Sequence, residues 1–231
     1  MKTKRSTAII LVVCFVFSLL TFTSLAEGDN NDVVDAVPKN PDETVSKLDL
    51  LPAREENVSM FMTRSSYVNI TVNVPCDEEW RAQSNWWTLA KNAIEDADDL
   101  LWNSYSINFY SYDSQNWDSD DSNADVDLLN EAKSECGKNG KQYMIAFTGQ
   151  TNCSYAGWGS VGQPYALVID HGATNNKKVA RHEIGHNYGM QHCTNSCFMN
   201  GTSSFYSNYD TICTSHDTHM SNHWDDYGTL H

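Results

Sequence analysis

Residues 181–193 read RHEIGHNYGMQHC, and the spacing of their histidines restricts the path of the chain more than any other stretch. His182 and His186 are four apart, one turn of a helix, so both rings leave the same face about 6 Å apart along the axis. His192 comes six residues later, where a continuous helix would carry it about 9 Å further on and point it elsewhere. It joins the other two only if the chain turns back. Gly189 is the residue that permits this, because it takes a left-handed conformation and ends the helix. Three neutral imidazoles on one Zn²⁺ leave a fourth position for water, whereas a structural site is normally closed. Glu183 follows the first histidine, at the metal face, where it can take a proton from that water.

The rest of the chain divides by composition. Residues 1–26 carry a basic start (Lys2, Lys4, Arg5), an apolar run from Ala8 to Leu20, and Ser24-Leu25-Ala26 as a small-x-small cleavage site. This is the pattern of a secretory signal peptide, too short for a comfortable membrane span. Its removal takes three of the 15 basic residues and none of the 30 acidic ones, moving the formal charge from −15 to −18. A charge of that sign repels nucleic acid and anionic membranes. The expected mature protein is therefore secreted, has no nucleic-acid or membrane partner, and is a monomer. Residues 27–60 are acidic and polar, with Pro38, Pro41 and Pro52 and no aromatic residue. They read as a linker or short pro-segment without the means to form a core. Residues 61–231 form the catalytic domain. Sequons at Asn57, Asn69, Asn152 and Asn200 are compatible with export.

Within that domain, SSYVNITVNVP alternates with period two, placing Val68, Ile70, Val72 and Val74 on one face of a strand that Pro75 ends. Asp77 caps a long helix in which Ala90, Ala93, Ile94, Ala97, Leu100 and Leu101 recur at helical spacing, with Trp86, Trp87 and Trp102 read as packing residues. A strand at YSINFYSY, a helix capped by Asp125, a buried strand at KQYMIAFTG, an edge strand or loop at YAGWGSVG and a strand at YALVIDH follow. Thr174 caps the helix that carries His182. The order of elements describes one α/β sandwich with a mixed sheet.

The stretch HEIGHNYGMQH, with Met199 in CFMN downstream, resembles the metzincin zinc peptidases, whose signature is HExxHxxGxxH followed by a methionine turn. The resemblance implies an α+β zincin fold: a twisted five-stranded mixed sheet with an antiparallel edge strand, an active-site helix and a small irregular C-terminal subdomain. It implies His182, His186 and His192 as zinc ligands, Glu183 as catalytic base, and Met199 as the residue packed beneath the histidines. AGWGS would lie in or near the edge strand and bind the substrate backbone by strand addition. HCTNSCFM is similar to the archaemetzincin pattern with one residue fewer, and Cys213-Thr214-Ser215-His216 stands where that subgroup has CxxC. An adamalysin-like secreted peptidase is the other subgroup that fits export. Some metzincins have a tyrosine two residues after the turn methionine; here that position is Gly201.

Six cysteines follow the leader: Cys76, Cys136, Cys153, Cys193, Cys197 and Cys213. Export and the even count favour disulfides. The archaemetzincin likeness implies instead that Cys193, Cys197, Cys213 and His216 hold a second, structural zinc. No cysteine lies between Glu27 and Pro75, so a cysteine-switch latency mechanism has no support. The acidic run around Asp113, Asp118, Asp120, Asp121, Asp125 and Asp127 lacks the glycine and closing glutamate of an EF-hand and reads as a solvated loop. The expectation is a secreted zinc endopeptidase acting on polypeptides. The alternatives are a zinc hydrolase of non-peptide amides and a secreted metal-binding module without turnover, and the intact Glu183 argues against the latter.

Overall fold

The computed structural model describes residues 34–39 and 66–231. The leader 1–26 and most of the segment 27–60 lie outside them. The described residues belong to one compact unit, Asp32–His231. It contains strands β1 (Val34–Pro38), β2 (Val68–Cys76), β3 (Ile107–Asn116), β4 (Tyr143–Thr148), β5 (Tyr155–Ser160), β6 (Tyr165–Ile169) and β7 (Thr229–Leu230). Its helices are α1 (Glu78–Arg81), α2 (Trp86–Tyr105), α3 (Val126–Glu135), α4 (Ala173–Asn187) and α5 (Thr214–His223), with a 3-10 turn at Ser203–Tyr206. No helix among the described residues is long and apolar enough to cross a membrane.

The sheet runs β1-β5-β6-β4-β2-β3, with the short β7 also paired to β2. β2, β3, β4 and β6 pair in parallel, and β5 is antiparallel to β6. The five expected strands and the antiparallel β5 are all present, but β5 is not the edge. β1 lies along it, antiparallel, with Val34 opposite Ser160, Asp35 opposite Gly159, Ala36 opposite Trp158 and Val37 opposite Gly157. A strand thus lies within the segment 27–60 that reads as a linker or short pro-segment without the means to form a core. Averaged over 34 residues the segment is polar, and the average hides the short run VVDAV, whose Val37 is fully buried.

One face of the sheet carries α2 and α4. Ala90, Ala93, Ile94, Ala97 and Leu101 of α2 join Val68, Ile70, Val72 and Val74 of β2 in the main core. Burying each such side chain contributes roughly 1.5–3 kcal/mol for Val, Leu or Ile. The other face carries α3, where Leu128, Leu129 and Ala132 pack on Met144, Ala146, Leu167 and Ile169.

Several local expectations shift. β2 continues through Pro75 to Cys76, which lies opposite Phe147 of β4 and Asn116 of β3. Asp77 does cap a helix, accepting from the Trp80 N–H, but that helix is the four-residue α1, and α2 starts anew at Trp86. Asp125 precedes α3 without capping it; its carboxylate accepts the N–H groups of Ser154 and Tyr155 instead. α4 begins after Gly172, so Thr174 lies inside its first turn. Trp86 and Trp87 pack against the core, whereas Trp102 is 40% exposed and meets Tyr67 edge to face.

Candidate active site

α4 presents His182, Glu183 and His186 toward the sheet, all fully buried. The helix closes at Asn187. Gly189 follows with φ +85°, and its N–H donates to the His186 carbonyl while that of Met190 donates to Gly185. That left-handed step reverses the chain and returns His192 to the helix. The three Nε2 atoms converge: His182 and His186 at 3.1 Å, His182 and His192 at 3.0 Å.

The tautomers at this convergence follow from the outer nitrogens. His182 Nδ1 lies 2.6 Å from the Phe198 carbonyl and His186 Nδ1 lies 2.8 Å from the Met190 carbonyl. A carbonyl only accepts, so each Nδ1 carries the proton and each Nε2 turns a lone pair inward. Burial, then the neighbouring His186 and His192, holds the His182 ring well below its ordinary pKa and therefore neutral. Two inward lone pairs about 3 Å apart repel unless a cation lies between them. Nitrogens bound at 2.0–2.1 Å to a tetrahedral zinc stand about 3.3 Å from one another, so this donor set fits that ion.

Met199 is buried beneath the site, with its sulfur packed on the backbone of Gly185. Gly201 lies flat behind the His192 ring, where a Cβ would come within 3.0 Å of Cγ. A tyrosine at that position would displace the third histidine. β5 forms the opposite wall. A Cβ on Gly157 would meet Glu183 Oε1 at 2.7 Å, and one on Gly159 would meet Oε2 at 3.0 Å. The two glycines let the carboxylate lie directly against the strand backbone.

The second cluster lies next in the chain. Cys193, Cys197, Cys213 and His216 each offer one ligand atom, all within 4.8 Å of one another. Cys197 Sγ and Cys213 Sγ are both 3.3 Å from His216 Nδ1. Burial raises the Cys213 thiol, but hydrogen bonds from the Ser215 hydroxyl, the His216 N–H, Asn195 and Cys197 outweigh it and bring the thiol down to about 7. Burial pushes Cys197 up to about 12. All six cysteines are free thiols, which corrects the expected disulfides. For Cys193, Cys197 and Cys213 the reason is geometric: a disulfide needs sulfurs about 2.05 Å apart in pairs, whereas these three thiols share one histidine in a four-cornered group.

The family model described as Metallo-peptidase family M12 matches residues 66–224. The chain belongs to that family. It is thus a metallopeptidase, a hydrolase of peptide bonds that depends on a bound metal. No curated protein matches by sequence. Among solved structures, archaemetzincin from Methanopyrus kandleri is 13% identical, over 68% of this chain and 96% of that one, with a TM-score of 0.51, and it shares the fold. Archaemetzincin from Archaeoglobus fulgidus, complexed with malonate, is 14% identical over 65% of this chain and 99% of that one, with a TM-score of 0.44. Metalloproteinase-II from Bacteroides fragilis is 17% identical over 75% of this chain and 58% of that one, with a TM-score of 0.48.

Other parts of this M12 peptidase were not marked by any motif. Arg181, 1% exposed, holds α4 to α2 and to the loop beyond the 3-10 turn. Its guanidinium donates to the carbonyls of Ala97, Asp96 and Tyr209 and to the Asp210 carboxylate at 2.6–2.7 Å. Asn187 accepts from the Tyr143 hydroxyl and donates to the carbonyls of Ser160 and Tyr165, tying the end of α4 to β4 and the β5–β6 hairpin. His219 has Nε2 2.7 Å from the Tyr188 carbonyl, so α5 braces the turn after α4. The acidic loop is held by its own contacts, with Asp120 accepting from Ser122 and Glu131 accepting from Trp117 and Asn123. Asn200 is buried and donates to the Asn195 carbonyl, so its sequon is already spent on structure.

Proposed function

We propose that this chain is an exported zinc endopeptidase in which His182, His186 and His192 hold the catalytic ion and Glu183 is the general base. The observation that carries the reading is the convergence of three Nε2 lone pairs whose outer nitrogens are fixed by backbone carbonyls. Bound zinc would polarise the scissile carbonyl and lower the pKa of a water toward about 7. Glu183, one residue from His182 and pressed against β5, is the group that would take a proton from such a water and return it to the leaving amine. A substrate would lie extended along β5 in the place that β1 occupies, where the β5 backbone supplies the hydrogen bonds of strand addition. Cys193, Cys197, Cys213 and His216 hold a second, structural zinc in a closed Cys₃His set. Export rests on the pattern of residues 1–26.

The test is metal content together with casein cleavage by the purified protein and its Glu183→Ala variant. The wild type should carry two zinc ions per chain and cleave casein. Glu183→Ala should keep both ions and lose about 10²–10⁴-fold in rate, the span general-base groups contribute. Equal cleavage by the variant, or a preparation that takes up no zinc, would sink the reading. One zinc per chain with all six thiols reactive toward a thiol reagent would sink the second site alone.

A further inference from the structure

We infer that Val34–Pro38 is a built-in pseudosubstrate, and that its register on β5 discloses the class of peptide the site takes. The inference rests on the peptidase reading above. The segment does what a substrate would have to do. It is extended, it belongs to the same chain, and it adds to β5 as an antiparallel strand opposite Gly157, Trp158, Gly159 and Ser160. Gly157 and Gly159 are the two residues against which the Glu183 carboxylate lies. Residues directly opposite in an antiparallel pair send their side chains to the same face. Val37, opposite Gly157, therefore faces α4 and the catalytic carboxylate, and it is fully buried in one apolar cluster with Val179, Phe205 and Tyr206.

The far end is fixed as well. The Tyr206 hydroxyl donates to the Pro38 carbonyl at 3.3 Å. The register slips between Val37 and Pro38, so that Pro38 faces Tyr155. Proline has no N–H to give to a ladder, and the pairing loses its regularity there. The site thus reads a strand whose backbone pairs with β5, with a small branched apolar side chain at the Val37 position, and holds a carbonyl one residue further on. Strand addition draws affinity from the main chain and specificity from such pockets. An intramolecular strand also avoids the entropy cost of association, so a free substrate has to displace it. The peptides favoured by the site are those with valine or a similar side chain where Val37 now sits, and the covered chain cleaves more slowly than an uncovered one.

The experiment compares casein cleavage by the zinc-loaded full chain, Val37→Arg and Val37→Thr, each beside its Glu183→Ala counterpart, with and without a synthetic peptide of residues 32–40. Arginine overfills the Val37 pocket and would have to shed the water around its charge there, so the strand should lift off, and Val37→Arg should cleave about tenfold or more faster than the wild type. Val37→Thr should fall between them. The peptide should inhibit Val37→Arg competitively, and the same peptide with arginine at the Val37 position should not. Equal Glu183-dependent rates in the wild type and both variants, or equal inhibition by the two peptides, overturn the pseudosubstrate and leave the peptidase reading standing. Absence of Glu183-dependent cleavage in every form overturns the peptidase reading and this inference with it. If Val37→Arg does not unfold cooperatively, the rate of Val37→Thr and its inhibition by the two peptides decide the matter on their own.

Discussion

At the level of single residues, the motif divides into donors and a hinge. The histidines and Glu183 supply the chemistry, but Gly189 decides whether His192 arrives. Its φ of +85° is open to glycine and costly for any residue with a Cβ. A Cβ there would also stand 3.3 Å from His219 Nε2, the atom that braces the Tyr188 carbonyl. Gly189→Ala should therefore lower stability by about 1–2 kcal/mol and weaken zinc retention at the histidines. Competition with a chromophoric chelator would measure the second effect; unchanged zinc affinity would show that the turn forms without glycine's freedom. This part of the site was legible in the sequence because helix periodicity converts spacing into direction. Glu183's partner wall was not: Gly157 and Gly159 are ordinary small residues until β5 is folded beside α4.

At the level of elements, the sequence disclosed the order of the elements from β2 to α4, since strand alternation and helical apolar spacing are local signals, but it missed β1 and the break between α1 and α2. It did not disclose what locks them together. Arg181 opens the RHEIGH stretch without any sign of its role, because its partners are backbone carbonyls and a carboxylate on α2 and on residues 209–210. Those contacts are distant in sequence and chemically anonymous. Arg181→Lys preserves the charge but not the planar fork, so several buried acceptors lose their donors. It should cost about 2–4 kcal/mol in urea unfolding, and the casein rate of the folded fraction should change much less than the stability. A loss below half a kcal/mol, on the order of a surface substitution, would show that one ammonium serves as well. The cysteines illustrate the same limit. Counting them favoured disulfides, while only the turn from Cys193 to Cys197 and the start of α5 at Thr214 bring three thiols to His216.

At the scale of the whole molecule, the acidic balance reaches into the core. Asp98 on α2 is 4% exposed and accepts the Phe109 N–H at 2.8 Å. Burial, followed by the charges of Glu95 and Asp99, raises its carboxyl well above 3.8. From pH 3.8 up to that raised value the folded state keeps a proton that the unfolded state has lost. Stability contributed by this group is therefore present at low pH and falls as pH rises through the window. Asp98→Asn retains an oxygen for Phe109 and removes the titration. The variant should melt higher than the wild type at pH 7, by about 1–2 kcal/mol in stability, with the gap closing toward pH 4. Melting curves across that range check it, and a gap that widens on acidification would contradict the sign. Net charge was legible from composition, but which acidic residue the fold would bury was not, because α2 carries Glu95, Asp96, Asp98 and Asp99 in near succession.

The pairing of β1 with β5 also bears on how such a chain is made. A ribosome completes Val34–Pro38 long before it reaches Tyr155–Ser160, so the covering strand is already present when the hairpin of β5 and β6 first forms. An unpaired, apolar sheet edge is a template on which other chains aggregate. The newborn domain carries its own partner for that edge, and a shortened gene beginning after residue 60 would leave it bare at the moment of folding.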